Sequence, residues 1–225
     1  MRDLFMSPEG KLLSNSLARS RLGLLTALVV LIVAACGAPS ASAPPPAADS
    51  GVYEGTEISG AASDFELVNQ RGEPVRLSDF RGKLVVLSFL DSTCHDICPI
   101  TAQHLKNALQ VLQTGAAENV ALFAVNVNAA ASAVSDVAAA SSHWNMDDVP
   151  AWHFLTGSPD ELQAVWQAYS AGVQVRPDGE ISHLPGVYVI DQQGQKRWYI
   201  STPEDPFWTG PALSEILPQR LRQLL

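Results

Sequence analysis

The sequence predicts an α/β sandwich of three layers, built on a mixed central sheet and preceded by a small β-hairpin. Three observations predict it. Apolar runs of strand length, Leu84 to Leu90 and Val120 to Val127, alternate with helical patterns, as parallel strands with covering helices do. A late pair, Val187 to Ile190 and Lys196 to Ile200 around the turn Asp191-Gln192-Gln193-Gly194, reads as an antiparallel hairpin and makes the sheet mixed. An early pair, Asp64 to Asn69 and Val75 to Leu77 around Gln70-Arg71-Gly72-Glu73, supplies the N-terminal hairpin.

Residues 1–35 read as an address. Arg2, Lys11, Arg19 and Arg21 precede the apolar stretch Leu22 to Ala35, which is short for a spanning helix and sits at the N-terminus. The stretch ends Val33-Ala34-Ala35-Cys36-Gly37 and resembles a bacterial lipobox. That resemblance implies a diacylated Cys36, a lipid anchor in a bacterial membrane and an extracytoplasmic location. Residues 36–60 are rich in Ala, Pro and Ser, with Pro44-Pro45-Pro46 in the middle. They have too few large apolar side chains to offset the entropy of ordering and read as a flexible tether. Residues 61–225 suit one domain with a full hydrophobic core.

Within the domain, Leu84 to Leu90 is predicted as a central strand buried on both faces. Pro99 fits the first turn of a helix running through Leu105, Leu109 and Leu112 to about Gly115. Val120 to Val127 is the second strand, and an alanine-rich helix follows from about Ser132 to Trp144. Trp152 to Leu155 is a short strand, and Ser158 N-caps a helix carrying Leu162, Val165, Trp166 and Tyr169. A last helix runs from about Pro211 to Leu224. This order fits a thioredoxin-like fold with an N-terminal hairpin extension.

The chain carries a net charge of −9, and without residues 1–35 ten Lys/Arg face 21 Asp/Glu, a net −11. Such a surface excludes nucleic acid and anionic lipid headgroups as natural partners and suits a cationic one. Walker, dinucleotide-binding, Gly-x-Ser-x-Gly and His-Glu-x-x-His motifs are absent from the sequence.

The chemistry concentrates where the first central strand ends. Cys94 and Cys98, the only cysteines besides Cys36, lie four positions apart across a loop and a helix start. A helix N-terminus favours negative charge, so both thiols are candidates for a redox pair, a disulfide or the chelation of a soft ion. His183, in Ile181-Ser182-His183-Leu184-Pro185-Gly186, precedes the late hairpin, in a loop that this fold lays against the thiols. Two thiolates and an imidazole suit copper in either oxidation state, whereas a structural zinc site would take a fourth protein ligand. His104 and His143 read as solvent-facing, and His153 as a half-buried strand residue. Trp144, Trp152 and Trp166 read as core. Trp198, Phe207 and Trp208, punctuated by Pro203, Pro206 and Pro211, read as packing on the hairpin.

From Asp64 to about Gly194 the sequence resembles the Sco/SenC family of copper chaperones that serve cytochrome c oxidase assembly. Cys94-His95-Asp96-Ile97-Cys98-Pro99 keeps the family's Cys-Pro-Asp-x-Cys-Pro except for its first proline, and His183 stands eight residues before Asp191, as the family's distal histidine does. Leu77-Ser78-Asp79-Phe80-Arg81-Gly82-Lys83 and Leu155-Thr156-Gly157-Ser158-Pro159 extend the likeness. The resemblance implies one copper ion, Cu(I) or Cu(II), on Cys94, Cys98 and His183. It further implies an acceptor in the oxidase subunit that carries the binuclear copper site, with other copper chaperones or thiol reductases as further partners.

His95 and Asp96 are accessory positions, His95 standing where the family has proline. Asn128 stands where the family's Val-Asp-Pro segment has aspartate. Pro185, six residues before Asp191, matches the place of the proline beside the thiols in membrane-tethered reductases of the TlpA type. It supports an alternative, a thiol-disulfide reductase in which Cys94 attacks a disulfide and Cys98 resolves it. A lipoprotein with a structural Cys94–Cys98 disulfide is the second alternative. A peroxiredoxin is disfavoured, because Leu87 and Asp91 occupy the proline and threonine positions of its Pro-x3-Thr-x2-Cys pattern.

Overall fold

The computed structural model describes residues 53–112, 115–202 and 211–225. The leader, Cys36, the tether up to residue 52, Pro203, Pro206, Phe207 and Trp208 lie outside the described residues.

The strands are β1 (Thr56–Glu57), β2 (Glu66–Val68), β3 (Pro74–Arg76), β4 (Leu84–Leu90), β5 (Val120–Asn126), β6 (Trp152–Leu155), β7 (Gln174–Val175), β8 (Ile181–Ser182), β9 (Gly186–Ile190) and β10 (Lys196–Ser201). The α-helices are α1 (Ile97–Gln110), α2 (Val134–His143), α3 (Pro159–Ala168) and α4 (Leu213–Arg222). Six strands form one sheet in the order β1-β10-β9-β4-β5-β6. β4, β5 and β6 run parallel, whereas β9, β10 and β1 join them by antiparallel pairing. The mixed sheet and the early β2–β3 hairpin are therefore as the sequence predicts.

β4 is central because every one of its residues is buried. Its side chains alternate between two cores, as a two-residue period requires. Leu84, Val86 and Leu90 meet Leu105 of α1, Trp152, Phe154 and the α4 residues Ile216, Leu217 and Leu221. Val85, Leu87 and Phe89 meet Phe123, the hairpin residues Leu67 and Val75, and the α3 residues Leu162 and Val165. Helices on one face and a helix with a hairpin on the other make the three layers. The predicted cap of α3 is present: Ser158 Oγ accepts from the Glu161 amide at 3.4 Å, while the Glu161 carboxylate accepts from the Ser158 amide at 2.8 Å.

The ordered domain starts earlier than the composition predicts. Thr56–Glu57 pairs with β10, the Ser201 amide donates to Tyr53 Oη at 2.7 Å, and Arg220 donates to the Glu54 backbone oxygen at 3.0 Å. Arg220 also lies 4.1 Å over the Trp198 ring, which accounts for that tryptophan as packing. His104 departs from its predicted solvent-facing place, because α4 runs alongside α1 and brings Ser214 Oγ within 3.0 Å of its Nδ1.

Candidate functional site

The thiol loop hangs between the carboxyl ends of β4 and β5, where open α/β sheets place their chemistry. Polar side chains hold it there. Asn126, the fully buried last residue of β5, accepts from the Ser92 amide at 3.2 Å and the Asn128 amide at 3.1 Å. Its Nδ2 donates to the Ala131 and Asn128 carbonyls at 2.7 and 3.2 Å. Asp91 turns the chain by accepting from the Thr93 amide at 2.8 Å, and its backbone oxygen accepts from the Cys94 amide at 3.1 Å. Asn128 Nδ2 donates to Asp91 Oδ1 and Thr93 Oγ1, both at 3.1 Å. A carboxylate at position 128 would face that of Asp91, so the amide is the matching partner in this chain.

Asp96 is the N-cap of α1 and accepts from the Ile97 amide at 2.7 Å. The helix start points the Cys98 amide at Cys94 Sγ, 3.3 Å away, and the Cys94 thiol donates to Asp96 Oδ1 at 3.1 Å. Both cysteines are free, Cys94 half-exposed and Cys98 buried. A hydrogen bond from the Cys98 thiol, aided by backbone amides, holds Cys94 below the ordinary thiol value, against its partial burial and the opposing bond to the Asp96 carboxylate. The same bond, then burial and the neighbouring Cys94 charge, push Cys98 far up. The pair is thus asymmetric, with a nucleophilic outer sulfur and a protonated inner one. The Asp96 carboxylate is held below its usual range by the bonds from Cys94 and the Ile97 amide.

His183 reaches this place from the segment that follows β8. The short β7–β8 hairpin ends at Ser182, and the Leu184 amide donates to the Ala171 carbonyl at 2.8 Å. Tyr199 Oη donates to the Pro185 carbonyl at 2.9 Å. Gly186 permits that contact, since a Cβ there would stand 2.5 Å from the Tyr199 ring. His183 consequently lines a cleft of about 490 Å³ together with Cys94 and Cys98. Asp91, Asp96, Asp178 and Glu180 also line it against one cation, Arg176, so the cleft is acidic.

Within that cleft the three sequence-predicted donors share space without forming a closed cage. Among the described residues no three His, Cys, Asp or Glu side chains are grouped tightly enough to hold a metal ion. His183 Nδ1 lies 3.3 Å from the Leu184 carbonyl, and donation there leaves Nε2 with its lone pair for an ion. Pro185 lines a small recess with Cys98, Thr101 and His183. His95 is exposed and absent from the cleft; its ring faces that of His143 instead. Sequence reasoning missed the clamp of Asn126 and Asn128 and the acidic hairpin residues Asp178 and Glu180, since loop polarity alone does not say what a side chain bonds.

The SCO1/SenC family model matches residues 54–210. The chain belongs to the SCO1/SenC family. The bovine mitochondrial SCO2 homolog is 28% identical over 136 residues, which cover 58% of this chain and half the length of that protein. The crystal structure of Arabidopsis thaliana ScoI with copper bound superposes with a TM-score of 0.61 at 21% identity, over 73% of this chain and 99% of the other. BsSco, described with a disulfide switch and as a member of the Sco family of cytochrome c oxidase assembly proteins, gives 0.61 at 19% identity over 76% and 96%. These likenesses support the thioredoxin-like architecture read from the strand order.

Proposed function

We propose that this SCO1/SenC chain is a lipid-anchored, extracytoplasmic metallochaperone that carries one copper ion as cargo on Cys94, Cys98 and His183. It delivers the ion to the binuclear copper site of cytochrome c oxidase, or keeps that site's thiols reduced. The observation that carries the proposal is the meeting of two thiols and an imidazole in one open cleft. Two soft sulfurs with one imidazole form a donor set suited to copper. The copper-bound Arabidopsis relative and the assembly role stated for the BsSco family support the same reading. The lipobox-like Val33-Ala34-Ala35-Cys36 supports the anchor and location.

The residues divide the work. Cys94, half-exposed and stabilised as a thiolate, makes the first bond to an arriving ion. Cys98 gives up its proton only once a cation offsets the cost of its buried charge. His183 closes from the opposite wall through Nε2. The acidic cleft draws cations in, and its opening to solvent lets a partner's thiolates and imidazoles take the cargo by ligand exchange. The test is loss of the gene in its own bacterium. Oxidase activity should fall, return with the wild-type chain or with added copper salts, and fail to return with His183→Ala or Cys98→Ser. Undiminished oxidase activity in the deletion strain would refute the assignment.

The asymmetry of the two thiols favours one second reading. A low-pKa outer Cys94 and a protonated inner Cys98 also suit attack on a disulfide and resolution of the mixed disulfide, with Pro185 close by in the Cys98 recess. Insulin reduction that survives His183→Ala, together with weak copper binding, would favour that reading.

A further inference from the structure

The five histidines of the chain divide by their surroundings. His104 meets Ser214, His153 packs between Phe80 and Phe123, and His183 lines the thiol cleft. His95 and His143 are exposed and lie outside that cleft, with ring centroids 6.3 Å apart and planes at 83°. They come from separate elements, His95 from the thiol loop and His143 from the last turn of α2.

Imidazole is the commonest side-chain ligand of borderline divalent ions, and among these Cu(II) binds nitrogen donors most tightly. Two imidazole nitrogens about 2.0 Å from one ion place their ring centroids about 4.5 Å apart when cis and about 6.4 Å apart when trans. The observed separation falls inside that span, so the rings need only turn about their exposed side-chain bonds. A second feature favours a cation at this point: His143 sits in the last turn of α2, the end at which the helix dipole places partial negative charge. With no third His, Cys, Asp or Glu grouped with them among the described residues, water fills the remaining coordination positions.

We infer that His95 and His143 form a second metal site, a two-imidazole surface site for Cu(II), on the outer side of the thiol loop. It stands independently of the thiol cleft. The replacement of the family's proline by His95 gives this chain one half of the site, and α2 supplies the other.

The test is a Cu(II) titration of the Cys94→Ser/Cys98→Ser variant, in which neither cleft thiol captures or reduces the ion, read by electron paramagnetic resonance. The titration is repeated on the wild-type chain with its thiols oxidised, so that the result does not hang on how the double variant folds. One Cu(II) per chain with nitrogen superhyperfine splitting is expected. His95→Ala and His143→Ala should each weaken it at least tenfold, about 1.4 kcal/mol. His104→Ala and His183→Ala should leave it unchanged. Absence of nitrogen-ligated Cu(II), indifference to His95 and His143, or loss on His183→Ala would overturn the site. Because the thiols are out of play, none of these outcomes bears on the cleft site.

Discussion

Asn126→Ala tests how the fold holds the site. The Asn126 side chain is fully buried and makes four hydrogen bonds, two accepted from the Ser92 and Asn128 amides and two donated to the Ala131 and Asn128 carbonyls. A net value of about 1 kcal/mol for each gives about 4 kcal/mol, and water reaching the partners nearest the rim reduces this to about 3 kcal/mol. With a urea slope of about 2 kcal/mol per molar, the unfolding midpoint, followed by tryptophan fluorescence, should fall by roughly 1.5 M. The thiol loop loses its tie to β5 at the same time, so Cys94 alkylation at neutral pH should accelerate. Asn126→Asp, which keeps the acceptor half, should lie between the two in alkylation rate. A midpoint loss under about 0.5 M with unchanged alkylation would refute the idea that Asn126 clamps the loop.

Two further outcomes follow from the titrating groups. His153 packs between Phe80 and Phe123 with Arg71 Nη2 3.5 Å from its Nδ1, and burial, reinforced by the Arg71 charge, brings its pKa down to about 4. As the pH falls from about 6.5 toward 4, the unfolded chain binds a proton that the folded chain refuses, so stability drops through that window. Between pH 7 and 4.5 the loss attributable to this half-buried ring is about 1.5 kcal/mol after screening. His153→Gln should remove that part of the acid sensitivity, measured as urea midpoints at both pH values, and an equal acid loss in the variant would contradict it. For the thiols, iodoacetamide at neutral pH should modify Cys94 and spare Cys98. Cys98→Ala takes away the donor that holds Cys94 down, so the alkylation profile of Cys94 should move to higher pH; an unmoved profile would show that the helix start alone lowers it.

What was legible in the sequence had strong local signals. β4 announced itself by seven consecutive residues of strand character, and Pro99 with Cys98 marked the helix that follows. The match of Cys94, Cys98 and His183 to a family pattern anticipated which residues share the cleft, because strand order fixes which loops meet at one end of the sheet. The edge strand Thr56–Glu57 was illegible, being two exposed residues in a polar stretch whose order comes from β10, Ser201 and Arg220. The Asn126–Asn128–Asp91 clamp was equally hidden, since its hydrogen bonds join residues up to 37 positions apart. His95 was legible as a departure from the family pattern, but its neighbour His143 was not, because only the packed fold brings the thiol loop beside the end of α2.

The central claim is that Cys94, Cys98 and His183 together hold copper, and an anaerobic Cu(I) titration of the reduced protein against a competing chelator tests it most directly. One tightly bound ion per chain is predicted, with affinity falling at least tenfold, about 1.4 kcal/mol, in His183→Ala and further in Cys94→Ser and Cys98→Ser. Weak binding, or tight binding indifferent to His183, would contradict the three-ligand site.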